Sequence, residues 1–208
     1  MSEQDPHRIT TEAALRALVG AELPGVETKI LDRLDEPTRA FLERAPFLVL
    51  ATSDREGRLD ASPKGDGPGF VLIEDERTIV IPDRPGNRLV FGHRNILENP
   101  RVGLLLMIPG TSETLRINGH AELTRDPALL ERLAARGRPA LLAIRVRIEQ
   151  CFLHCGKALL RAHLWDPAKW GARHRVSFGE IYAERTGADE AVARQIDAAI
   201  EVDYRDNL

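Results

Sequence analysis

Apolar and polar positions alternate with a period of two through the middle of the chain. In Thr114 to Leu123, the residues Leu115, Ile117, Gly119, Ala121 and Leu123 fall on one side, and Thr114, Arg116, Asn118, His120 and Glu122 on the other. That spacing predicts a half-buried strand. Arg58 to Lys64 alternates likewise, with Leu59, Ala61 and Pro63 set against Arg58, Asp60, Ser62 and Lys64. Ala140 to Leu153 reads as one long strand, Ile144, Val146, Ile148 and Phe152 opposing Arg145, Arg147 and Glu149. Phe47 to Thr52 is a short apolar run suited to a buried strand, and the turn Asp54 to Gly57 joins it to Arg58 to Lys64 as a hairpin. Phe70 to Ile73 and Thr78 to Ile81 form a further pair, and Arg101 to Ile108 is apolar on both faces.

Helical signals lie mostly at the two ends. Thr10 or Thr11 caps a segment running to Val19, and Pro37 opens a second that ends near Arg44. Ser177 and Glu180 fit a capping box, and Asp189 caps a last helix whose stripe is Val192, Ile196, Ala199 and Ile200. Within the strand-rich part, Asn87 to Glu98 and Pro127 to Ala135 read as short helices. Roughly seven strands joined mostly by hairpins predict a mainly β fold with flanking helices, an antiparallel barrel rather than a doubly wound parallel sheet. The expected organisation is an N-terminal helical segment over 1–45 packed on a barrel over 46–165, with a helical extension over 166–208.

Composition narrows the function. With 208 residues and a net charge of −3, the chain has room for a real core and offers no global grip on nucleic acid or anionic membrane. Two cysteines exclude a disulfide scaffold. No apolar run approaches the roughly 18 residues of a membrane span, and Met1 to Pro6 lack a basic, then apolar leader. The expectation is a soluble cytoplasmic protein. No GxGxxG or Walker-type motif occurs.

Two segments carry candidate chemistry. Ser62 and Lys64 share one strand face, so a hydroxyl and an ammonium are offered to a polar planar ligand, and Gly65 lets backbone come close. Pro82-Asp83-Arg84-Pro85-Gly86-Asn87-Arg88 stands between a strand and a predicted helix start, where Arg84 and Arg88 make sense if an anion sits among them. The bland alternatives are a solvated edge for the first segment and arginines paired with Asp83 or Glu98 for the second. Arg116 adds a third cation on the next long strand, with Thr114 on the same face, or else pairs with Glu122 or Glu149. Cys151, His154 and Cys155 lack the second ligand pair of a structural zinc site, and the two cysteines read better as small buried hydrophobes. His120 is the candidate proton donor, and His93 reads as a helix-face residue.

In order, Ser62-Pro63-Lys64-Gly65-Asp66, Ile81-Pro82-Asp83-Arg84-Pro85-Gly86-Asn87-Arg88, Asn95-Ile96-Leu97 with Asn99-Pro100, Ile108-Pro109-Gly110, Glu113 to Gly119, His154-Cys155-Gly156-Lys157-Ala158 and Leu164-Trp165-Asp166-Pro167 resemble the pyridoxamine 5′-phosphate oxidase-like flavoproteins. The likeness covers roughly residues 28 to 170 and is nearer the predicted FMN-binding subgroup than the true vitamin B6 oxidases. It implies a split β-barrel, a homodimer with FMN in grooves between subunits, and an FMN-dependent oxidoreductase acting on a small molecule. By position it implies Ser62 and Lys64 along the flavin ring, Arg84, Asn87 and Arg88 at the phosphate, Thr114 and Arg116 from the neighbouring strand, and Trp165 near the ring. His154, Cys155 and Lys157 fall in a family motif. The C-terminal arginine segment that grips pyridoxal phosphate in the true oxidases is not found. The alternatives carried by the same likeness are a non-catalytic flavin-binding or sensing module, or a barrel that takes deazaflavin F420 or haem.

Overall fold

The computed structural model describes Asp5 and residues 7–207. One sheet holds β1 (Phe47–Ser53), β2 (Leu59–Gly65), β3 (Leu72–Asp75), β4 (Thr78–Pro82), β5 (Arg101–Met107), β6 (Thr114–Thr124) and β7 (Ala143–His154). Around it lie α1 (Glu12–Val19), α2 (Glu36–Arg44), α3 (Phe91–Glu98), α4 (Pro127–Arg132), α5 (Lys157–Arg161), α6 (Phe178–Thr186) and α7 (Glu190–Asp206). The strand order is β2-β1-β5-β6-β7-β4-β3, and every neighbouring pair is antiparallel. No ladder joins the edge strands β2 and β3. The sheet nevertheless curls far enough for Lys64, at the end of β2, to meet Asp83, just past β4.

The alternation in the sequence becomes the inner lining of this sheet. Leu48 and Leu50, Leu104 and Leu106, Leu115 and Ile117, Ile144 and Val146, and Ile79 and Ile81 are all buried there. Each such side chain taken from water stabilises the fold by about 1.5–3 kcal/mol. α2 closes the core with Leu42, and its N-terminus is a reciprocal capping box between Asp35 and Thr38. By contrast α1 buries none of its residues, and the N-terminal segment meets the sheet through the Leu31–Cys151 bridge, the buried Leu34 and α2. α6 and α7 pack on each other. Gly179 is the contact point, since a Cβ there would lie 1.9 Å from the Ala193 carbonyl oxygen. The Ser177 hydroxyl accepts from the Glu180 amide and donates to Asp197, so it caps α6 and ties it to α7.

Three expected boundaries or faces are corrected. The β7 alternation does not run unbroken to Phe152. Asn118 pairs with Gln150 but Gly119 pairs with Ile148, so Glu149 is an extra residue in a bulge. Beyond it the faces exchange: Cys151 is fully buried on the inner side, while Phe152 lies on the opposite side, buried there beneath Lys29 and the Arg116 guanidinium, 5.4 and 5.2 Å from the ring centre. On β2 it is the apolar side that faces out, with Leu59 83% exposed, because Ser62 pairs with the inward Leu50 and Pro63 with Val49. α3 starts at Phe91 instead of Asn87, since Arg88 and Val90 hold left-handed backbone (φ 60° and 51°) that cannot propagate a helix.

Candidate functional site

The polar face of β2 forms one wall of a cleft of about 390 Å³. The other wall is the segment from Asp83 to His93, which leaves β4 and enters α3. α3 comes close to β2 because Gly92 has no side chain: a Cβ there would lie 3.2 Å from Asp60 Oδ2 and 3.6 Å from Ser62 Oγ. Ser62, Lys64, Arg84, Asn87 and Arg88 all line this one cleft. Two segments predicted separately are thus brought together. Gly65 is not among the lining residues. Its bare backbone instead admits the Pro46 carbonyl, 3.1 Å from where a Cβ would stand.

The cations in the cleft are not all free. Lys64 Nζ donates to Asp83 Oδ1 at 2.6 Å, and Arg84 Nε donates to Asp66 Oδ2 at 2.9 Å. Each segment therefore supplies one cation and one carboxylate, and the two bridges cross between the end of β2 and the end of β4, where no backbone ladder exists. Neither sequence-level alternative for Arg84 holds, since its partner is Asp66 and not Asp83 or Glu98. Arg88 enters neither bridge and is exposed on the loop. Asn87 Oδ1 accepts from the Leu89 amide at 3.0 Å and helps hold the turn.

Burial pushes the Asp83 carboxyl up, but contacts from His93 and Lys64 outweigh it and hold it below the ordinary value of 3.8. Burial likewise raises Asp66, and the Gly67 amide and Arg84 more than compensate. Depressed carboxylates contribute stability above the unfolded-state value, and that stability is lost as pH falls through the folded-state values. The melting temperature is therefore expected to fall steeply below about pH 4, and Asp66→Asn should lower it at neutral pH while flattening that acid limb. An unchanged acid limb in thermal melts of Asp66→Asn would remove this bridge from the account.

The remaining sites fall elsewhere. Thr114 and Arg116 line a second groove of about 530 Å³ together with His154 and Cys155. Thr114 is buried, and Arg116 is exposed and lies over Phe152. The groove and the cleft open on opposite faces of β1, since Leu50 lines the cleft and Val49 and Ala51 line the groove. Trp165 lines neither. Its Nε1 donates to the Thr111 carbonyl at 2.9 Å and ties the tail to the β5–β6 connection. His120 also lies apart from both, with Nδ1 2.9 Å from Glu149 Oε1. Cys151 is buried as expected, with its thiol pushed up to about 11 by burial, but Cys155 is exposed and not a core residue.

Asp66 and His93 are site residues not expected as partners, and Asp83, expected as a partner of the arginines, holds Lys64 instead. For His93 a signal was present: it stands three residues before Ile96, which is buried, so it shares the inward face of α3. Among the described residues no helix is long and apolar enough to cross a membrane.

Comparison with solved structures finds distant likenesses. A pyridoxamine 5′-phosphate oxidase-like protein of Lactobacillus delbrueckii is 20% identical, with 59% of this chain and 95% of that one covered and a TM-score of 0.45. An F420 reductase is 21% identical over 55% of this chain and 95% of its own, with a TM-score of 0.43. HutZ, the heme storage protein of Vibrio cholerae, is 18% identical over 59% and 94%, with a TM-score of 0.39. Scores this low carry no functional weight, and no curated protein matches significantly. The family model for pyridoxamine 5′-phosphate oxidase, in contrast, matches residues 34–155, from the entry to α2 to the end of β7, and so takes in the cleft and the groove except for its α5 side. The chain belongs to the pyridoxamine 5′-phosphate oxidase family.

Proposed function

We propose that this protein binds FMN and acts as an FMN-dependent oxidoreductase on a small-molecule substrate, as a homodimer. The observation that carries the reading is the convergence of Ser62 and Lys64 with Arg84, Asn87 and Arg88 on one cleft of ligand-holding size. The strained backbone supports it. A β-branched valine at φ 51°, two residues after Arg88 at φ 60°, costs on the order of 1–3 kcal/mol each, and such strain concentrates at ligand sites. The donor set fits the cofactor: Arg88 and Asn87 suit the phosphate, and Ser62 and Lys64 suit the polar edge of the ring system. When bound, FMN supplies hydride acceptance and donation. The chain supplies grip, orientation and a walled surface. Before a ligand arrives Lys64 is held by Asp83, so its ammonium stands in the cleft as a paired donor and not an unbalanced charge.

The same surfaces support homodimerisation. The outer face of β2 and β1 carries Leu59, Ala61, Pro63 and Val49, and this apolar edge is left without a covering element among the described residues. A second copy laid on it would bring its Thr114 and Arg116 groove towards the cleft, which one protomer alone cannot do because the two open on opposite faces.

Titration of the purified full chain with FMN, followed by flavin fluorescence, tests the cofactor. Saturable quenching, tighter than for F420 or haem, supports the reading, and preference for either of the others replaces it. Anaerobic reduction of the loaded protein by nicotinamide donors, then reoxidation by acceptors, separates an oxidoreductase from a flavin-binding module without turnover.

A further inference from the structure

Asp83 Oδ1 is shared by two basic groups of different kinds. Lys64 Nζ reaches it from β2 at 2.6 Å, and His93 Nε2 lies 3.3 Å from it on α3. The side chains of Asp83 and His93 are each 13% exposed, and that of Lys64 is 18% exposed. His93 Nε2 itself is buried and makes no well-directed hydrogen bond. Asp83 thus holds one cation closely and keeps a second basic group within reach.

A buried carboxylate stripped of its cation is costly, so whatever draws Lys64 away calls for a replacement. The charged groups around His93 limit the choice. β2 contributes Asp60 and Lys64, the loop contributes Asp83, Arg84 and Arg88, and α3 itself contributes Arg94. β1 and β6, which also pack on α3, turn buried uncharged residues inward, among them Leu50, Thr52, Ile117 and Ala121. Arg84 is committed to Asp66, and neither Arg88 nor Arg94 bridges to Asp83. His93 is the group already in contact.

We propose that Asp83 is the positioning residue of the cleft and that His93 is its proton acceptor. When an oxygen of an anionic ligand takes over Lys64, a proton passes from solvent to the His93 imidazole, and the resulting imidazolium replaces the ammonium beside Asp83. Anion binding in this cleft is then coupled to proton uptake. The inference rests on the FMN reading for its first ligand, while its physical basis is the anion alone.

The test is calorimetric titration of the full chain at about pH 8, where an ordinary histidine is neutral, in buffers of different ionisation enthalpy. FMN is the first probe and inorganic pyrophosphate the second. About one proton taken up per FMN is expected, and His93→Gln should bind more weakly and without the uptake, since no imidazolium can then stand beside Asp83. Asp83→Asn should abolish it as well, and loss through both variants supports the pair. Binding with no buffer dependence overturns the inference, as does uptake that survives His93→Gln. Failure to bind FMN, with pyrophosphate still bound and a proton still taken up, overturns the cofactor reading and upholds this one. If neither anion brings a proton, the inference fails. The wild-type measurement needs no variant to fold.

Discussion

Arg88→Ala is expected to weaken FMN binding by roughly 10- to 100-fold while leaving the melting temperature almost unchanged. Arg88 is exposed, stands on the cleft loop, and enters neither of the crossed bridges. Its guanidinium is thus available to a phosphate in a way that Arg84 is not. A charge-assisted hydrogen bond is worth about 1.5–3 kcal/mol, which sets the fold-change. Arg84→Ala should divide its effects differently. It leaves the Asp66 carboxylate, 10% exposed, with the Gly67 amide at 2.9 Å and Arg136 as its one remaining cation, at 3.4 Å. Stability should drop by about 1–3 kcal/mol as a largely buried carboxylate loses its best-placed cation, and affinity should follow only as far as the cleft loosens. Fluorescence titration and thermal melting of the two variants side by side check the split. Equal affinity losses with equal stability losses would mean that both arginines act alike, contrary to their different partners.

The second large effect is structural. Gly119→Ala is expected to destabilise the fold by about 3 kcal/mol or more, because the new methyl would stand 2.0 Å from the Arg147 carbonyl oxygen. That oxygen is backbone within the longest strand pair, β6 with β7, at the bulge that sends Cys151 inward. Relief therefore requires the ladder itself to move. Gly103→Ala is the control: its nearest contact is the Asn118 side-chain oxygen at 3.3 Å, which can swing aside at a much smaller cost. Urea unfolding of the two variants measures the difference, and similar midpoints would show that the bulge is softer than its geometry implies.

These two positions also mark the limits of a sequence reading. The strands were legible because alternation over β2, β6 and β7 has a direct physical cause, one wet face and one dry face. The bulge at Glu149 was not, since a single extra residue reverses the pattern for only a few positions and Phe152 is apolar either way. The polar face of β2 was legible as a face, but not as the half-covered one, because its cover is Gly92 and the loop before α3, far along the chain. The start of α3 was misplaced for a related reason. Nothing in Asn87 to Val90 forbids helix locally, and the left-handed turn at Arg88 and Val90 is imposed by the closure of the cleft. Of the site, the basic residues stood out by type. Their carboxylate partners Asp66 and Asp83 lay within the same motifs, but which cation each holds depends on how β2 and β4 meet, and that is a tertiary fact. The separation of Thr114 and Arg116 from the cleft has the same origin, since which strands of one sheet turn their polar residues to the same face is not set by order along the chain.

The central claim is that the polar face of β2 and the loop from Asp83 to His93 together hold FMN. A crystal structure of the full chain grown with FMN tests it most directly. The account predicts the phosphate beside Arg88 and Asn87, with the ring system along Ser62 and Lys64. An ordered FMN lodged in another part of the molecule, with these side chains making no contact to it, would contradict the account.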